Sequence, residues 1–275
     1  MKINFSSLFF ISFAFVLFNV TVGGNQLISV EFSYNVDFEE NPHIDKAIKG
    51  ELRKYIIPDR HPIKEKLDYI FKSRRVTQDI DAFQEAGFSI ISNRPRSFIT
   101  VAKHPDLEKY IIKAYMDTEL RKKRGIPGWK WLTRRCLGAK RIAYTIAKNK
   151  MKYFTVARKW IYPLPPEPSP LDDGKHVRQI VLLVATDMQL TSKKENLKAW
   201  YNVITKEHLQ ELFTIMNLAK GESYRPDNIH YTKSGQFAFI DTEYPFLGPD
   251  YDSIRKYLSP SMLEYWDYLV EKGEL

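Results

Sequence analysis

The 275 residues carry 42 Lys and Arg against 33 Asp and Glu, a formal charge of +9, with 44% hydrophobic and 14% aromatic residues. That apolar content excludes a disordered chain, and the length holds one large domain or two small lobes with a real core. The single Cys136 excludes an intramolecular disulfide, and the scattered histidines form no His-x-x-x-His pair that would support zinc chemistry.

The chain opens with Lys2, an apolar run from Leu8 to Val22 and the small residues Gly23 and Gly24, which together read as a secretory signal over residues 1–24. The run is intermediate in length between a signal core and a bilayer span, so the alternative is a membrane anchor formed by residues 5–22. A secreted or extracytoplasmic protein is expected, touching a membrane only through this segment. Residues 25–86 place Ile44, Ile48 and Leu52, then Ile63, Leu67, Ile70 and Phe71, at helical spacing, which predicts a helical N-terminal extension.

From Gly87 the pattern turns to β. Runs at 88–91, 97–102 and 110–115, separated by Asn-Arg-Pro and His-Pro turns, predict three consecutive strands. After the break at 125–128, residues 131–150 read as a strongly basic helix with Leu132, Cys136, Ala139, Ile142 and Ile146 on its apolar face. Strands are expected to return over 154–162. The proline-rich stretch 163–170 is a stiff extended connection, and 179–185 is a continuous apolar run suited to a buried strand. Beyond it the chain is mostly helical, with Thr205 capping a helix that carries Leu209, Leu212, Phe213 and Met216, and Ser259-Pro260 opening the last helix. The charge is densest between residues 103 and 158 and fits acidic partners such as phosphates. No aromatic-interleaved RNA motif accompanies it, so nucleic acid is not expected.

The chemistry concentrates in Gly221-Glu-Ser-Tyr-Arg-Pro-Asp-Asn-Ile-His230 and Gly235-Gln-Phe-Ala-Phe-Ile-Asp-Thr-Glu243, a polar loop followed by a hairpin that turns at Lys233-Ser-Gly235. An Asn and an Asp on opposite sides of such a hairpin present two oxygen ligands to one hard cation. Tyr224-Arg-Pro-Asp-Asn-Ile229 resembles the Leu-Lys-Pro-Glu-Asn loop of the protein-kinase-like superfamily. Ile240-Asp-Thr-Glu243 is similar to the Ile-Asp-Phe-Glu of its small-molecule kinases.

The resemblance implies an α+β, two-lobed protein-kinase-like fold. Its small antiparallel-sheet lobe would span residues 87–188 and a reduced helical lobe residues 189–275, with a hinge at 186–189. It implies ATP with Mg²⁺ held by Asn228 and Asp241, and Lys113, in Tyr110-Ile-Ile-Lys113, on the phosphates with Arg225 as a second cofactor-binding residue. Three departures qualify it. Ser223 stands where the family carries its catalytic Asp, leaving Glu222 and Asp227 as the nearby carboxylates. The basic helix has no acid to pair with Lys113, and Glu119 is the nearest substitute. No glycine-rich loop precedes the strands, and Arg94 and Arg96 lie at that place instead.

The 34 residues from 242 to 275 leave no room for a peptide-gripping platform, so peptide phosphorylation is not expected. Two functions follow from the resemblance. One is phosphate transfer to an unidentified hydroxyl acceptor. The other is a catalytically inactive pseudokinase that acts on a protein partner as an interaction or scaffold protein. In an exported protein phosphate transfer requires a compartment that supplies nucleotide, whereas a pseudokinase need not have one, and Ser223 fits the latter case.

Overall fold

The computed structural model describes residues 36–93, 98–222 and 224–273; the hydrophobic segment read as a signal, Arg94, Arg96 and Ser223 lie outside them. Among the described residues no helix is long and apolar enough to cross a membrane.

The fold is α+β. Helices α1 (Val36–Glu39), α2 (Lys46–Leu52), α3 (Lys64–Lys72) and α4 (Ile80–Glu85) precede strands β1 (Ser89–Asn93), β2 (Thr100–Lys103) and β3 (Tyr110–Ala114). The long helix α5 (Gly128–Lys148) leads to β4 (Phe154–Val156), β5 (Lys159–Pro163) and β6 (Val181–Thr186). Then come α6 (Lys193–Asn202), α7 (Lys206–Ala219), the hairpin β7 (Ile229–Tyr231) and β8 (Phe237–Phe239), and α8 (Pro260–Lys272).

Five strands form one antiparallel sheet in the order β1-β2-β3-β6-β5, and β4, β8 and β7 form a second, smaller sheet. The β stretch expected over 154–162 therefore divides into two strands in different sheets. β4 leaves to run parallel to β8, pairing Phe154 with Phe237 and Val156 with Phe239. A parallel partner is remote in sequence, so no local pattern announces it. Pro163 ends β5 opposite Val181, at a sheet edge where a missing N–H is tolerated.

Alternation along the strands divides the large sheet into two buried faces. On one face Ala102, Ile112, Tyr162, Leu182 and Val184 pack against Leu67, Ile70 and Phe71 of α3 and Phe83 of α4. On the other, Ile161, Leu183 and Ala185 meet Trp131, Leu132 and Cys136 of α5, with Leu52 of α2 and the following Tyr55 and Ile56. The segment read as an extension thus covers the sheet, and Ile57 donates its N–H to Ile161 O at 2.9 Å on the β5 edge. A third cluster gathers Trp200, Leu212, Phe213, Met216, Phe237, Phe239 and Trp266 from α6, α7, the hairpin and α8.

One buried ion pair ties the N-terminal helices to the sheet. Arg75 donates Nε and Nη2 to the fully buried Asp117 carboxylate at 2.8 and 2.9 Å, and Nη2 also reaches Gln179 O at 2.7 Å. Asp117 accepts further bonds from Thr77 Oγ1 and Gln179 N. Removing one member strands a buried charge, so Arg75→Met should lower stability by about 3–5 kcal/mol in a denaturant titration, and adding Asp117→Leu should recover much of the loss. An additive loss in the double variant would show that the pair does not act as a unit.

Candidate functional site

Between the large sheet and the small sheet lies a cavity of about 600 Å³. Its roof follows from strand alternation: Ile111 and Lys113 of β3 point into it, while Ile112 and Ala114 are buried on the far face. Val101, paired with Lys113, and Ala185, paired with Ile111, extend the apolar wall. The exit of β6 closes one side with Thr186, Asp187 and Met188. Asp187 is anchored there by its N–H on Lys109 O at 2.9 Å and by Lys103 Nζ on its carboxylate at 2.6 Å.

The floor is the loop before β7 and the segment after β8, which contribute Arg225, Asp227, Asn228, Ile240 and Asp241. Gly235, at φ +85°, makes the hairpin turn that a side chain would strain. Ile240 N donates to Asn228 O at 2.9 Å, which fixes Asn228 and Asp241 on either side of that bond. Helix α6 steadies the loop: Asn196 donates to Pro226 O and accepts from Tyr231 N, and Trp200 Nε1 donates to Ile229 O at 3.0 Å. Lys113 Nζ reaches down from the roof to Ile240 O at 3.2 Å.

The structure therefore brings Lys113, Arg225, Asp227, Asn228 and Asp241 into one cavity. Glu222 is not among its walls, and its N–H binds Tyr244 O at 2.9 Å. Ser223, Arg94 and Arg96 lie outside the described residues. Glu119, expected as a substitute partner for Lys113, instead receives Arg121 in a two-pronged ion pair at 2.6 and 2.7 Å.

The residue that sequence reasoning missed is Arg135. It sits on α5 at the spacing of Leu132 and Ala139, in the inward stripe of the helix, with only 1% of its side chain exposed. Its Nε meets Asp241 Oδ1 at 3.1 Å and its Nη2 meets Glu243 Oε1 at 3.0 Å; Lys123 Nζ closes the chain on Glu243 Oε2 at 2.9 Å. Close approach of the 241–243 segment to α5 requires Gly138, where a β-carbon would collide with the Thr242 carbonyl oxygen. Thr242 Oγ1 donates to Arg135 O at 2.6 Å and accepts from Lys159 Nζ at 2.7 Å. The sequence signal was an arginine in an apolar stripe on a helix without acids.

Electrostatics follow from this enclosure. Burial would raise the Asp241 carboxyl, but Arg135, Lys113 and Lys159 outweigh it and hold the group well below the usual carboxylate range. Burial would likewise lower Arg135, and the Asp241 and Glu243 carboxylates reverse that and keep it charged. Lys159, buried behind the cavity and facing Lys113, is pushed down to about 7.

Asn228 and Asp241, the pair expected to hold magnesium, line the cavity together, but the Oδ1 of Asp241 is already engaged by the Arg135 guanidinium at 3.1 Å. A cation bound at Asp241 would share that carboxylate with the buried Arg135 guanidinium, and two positive charges on one carboxylate repel. In comparisons with known proteins, no protein-family model matches the chain, and no curated protein matches it.

Lys159 supplies a pH test. The unfolded chain keeps this proton to about pH 10.5 while the folded chain releases it near 7, so the unfolded state binds more protons in between. The cost to the fold is complete below pH 7 and is relieved as pH rises toward 10.5. Lys159→Met should therefore stabilise the protein by about 1–4 kcal/mol at pH 6.5, with a smaller gain at pH 10, when thermal unfolding is compared across pH. Equal gains at both values would place the lysine's burden elsewhere.

Proposed function

We propose that this chain is an exported protein of kinase-like, two-lobed architecture whose cleft binds a nucleotide, and that it works as a pseudokinase, by binding and presenting a surface rather than by phosphoryl transfer. The observation that carries this reading is the convergence of Lys113, Arg225, Asn228 and Asp241, from separate parts of the sequence, on one cavity with an apolar half and a charged half. The apolar half, walled by Val101, Ala185 and Met188, suits a flat base. The charged half suits phosphates, with Lys113 above them and Arg225 at the mouth.

Binding without transfer is favoured by the state of Asp241. In the resemblance this residue would hold the metal on the phosphates, whereas here a buried guanidinium takes its Oδ1. The serine at position 223 points the same way. Transfer to a hydroxyl acceptor is the second reading, favoured by Asp227, a carboxylate in the cavity wall next to Asn228 that could accept the acceptor's proton.

Added ATP should raise the melting temperature of the full chain by roughly 5–10 °C at about 100 times its dissociation constant, and Lys113→Ala should remove most of the shift. No shift with ATP, ADP or GTP would refute the nucleotide site. Incubation with labelled ATP and candidate acceptors separates the two readings: turnover that is lost in Asp227→Asn would establish the enzyme in place of the pseudokinase.

A further inference from the structure

Resting on the nucleotide reading above, we infer that the cleft binds the nucleotide's phosphates directly, without a divalent cation, because Arg135 is a resident positive charge where a metal's charge would be needed. Five bases, Lys103, Lys113, Lys123, Arg135 and Arg225, stand on or behind the walls with four acids, Asp187, Asp227, Asp241 and Glu243, and Lys159 lies behind them with a partial charge near neutral pH. Such a cluster holds surplus positive charge before any ligand arrives. A divalent cation entering it meets repulsion, and a polyphosphate entering it meets attraction.

The resident charge is also fixed. The Arg135 side chain is 1% exposed, its guanidinium spans two carboxylates, and its backbone carbonyl accepts the Thr242 hydroxyl. Gly138 lets that segment lie against the helix, so Asp241 lines the cavity while its Oδ1 stays on Arg135. A cation already ordered in the free protein costs no ordering on binding, which is the advantage of preorganisation. On the lining itself Lys113, Lys123 and Arg225 alternate with Asp187, Asp227, Asp241 and Glu243, so the positive excess comes from the fixed groups behind the wall, Arg135 first among them.

The test is a titration of the full chain with a fluorescent ATP analogue, once in excess magnesium and once in excess EDTA. The dissociation constants should agree within about threefold, and a loss of tenfold or more in EDTA would overturn the inference while leaving the nucleotide reading intact. Absence of binding in both conditions would remove the reading and the inference together. Asp241→Asn should tighten binding in EDTA by about threefold, since it removes a negative charge beside the phosphates, whereas in a metal-dependent site it would weaken binding in magnesium. Arg135→Gln should weaken binding in EDTA by about tenfold, with magnesium restoring it. If circular dichroism shows that either variant does not fold, the unmodified chain compared in magnesium and in EDTA decides the matter.

Discussion

The arrangement of the cleft hangs on a guanidinium that has been taken out of water. Burying an unpaired Arg costs several kcal/mol, so Arg135 is tolerable only while both Asp241 and Glu243 face it. That requirement propagates. The chain after β8 must run tightly along α5, which demands a glycine at 138, and Thr242 between the two acids is drawn to the helix backbone and to Lys159. The position of Asp241 is thus set by the needs of the helix as much as by the cavity. With a neutral residue at 135 the two carboxylates would lose their shared partner, and the segment would be held only by Lys123 on Glu243 and by the Thr242 contacts.

Much of this was legible in the sequence, and the parts that were not share a cause. The strands, the basic helix, the hairpin at Gly235 and the helices opened by Thr205 and Ser259 all follow local periodicity and capping, and the structure places them within a few residues of expectation. Helix α6 carries a legible signal too, the Ser192 to Glu195 capping box, although its value lies in what it holds: Asn196 and Trp200 fix the loop that carries Asn228. The division of 154–162 between two sheets was not legible, because it depends on a parallel partner some eighty residues on. Nor was the partnership of Arg135, since the basic composition of α5 reads equally well as a solvated face. Only the helical phase, with Leu132 and Ala139 on the same side, sets this arginine apart from Arg134 and Lys140.

Residues 36–86 change in meaning once the fold is known. Helices α3 and α4 seal the face of the large sheet opposite the cleft, and Asp68 ties Tyr162 of β5 to the buried Lys64 through hydrogen bonds of 2.7 to 2.9 Å. The Arg75 and Asp117 pair then clamps the ends of β3 and β6. A sheet covered on both faces does not bend easily, so the roof of the cavity, Lys113 included, is held by groups far from the charges it serves.

A fixed arginine and a bound metal differ in what they do for a phosphate chain. Both neutralise charge, but a metal bridges phosphate oxygens and moves with them as a bond breaks, whereas Arg135 is locked behind a carboxylate by the packing of α5. On the proposed reading the cleft is therefore equipped to hold a nucleotide and poorly equipped to follow its charge through a transfer. Occupancy would then respond to nucleotide concentration and ionic strength, with divalent metal a minor variable.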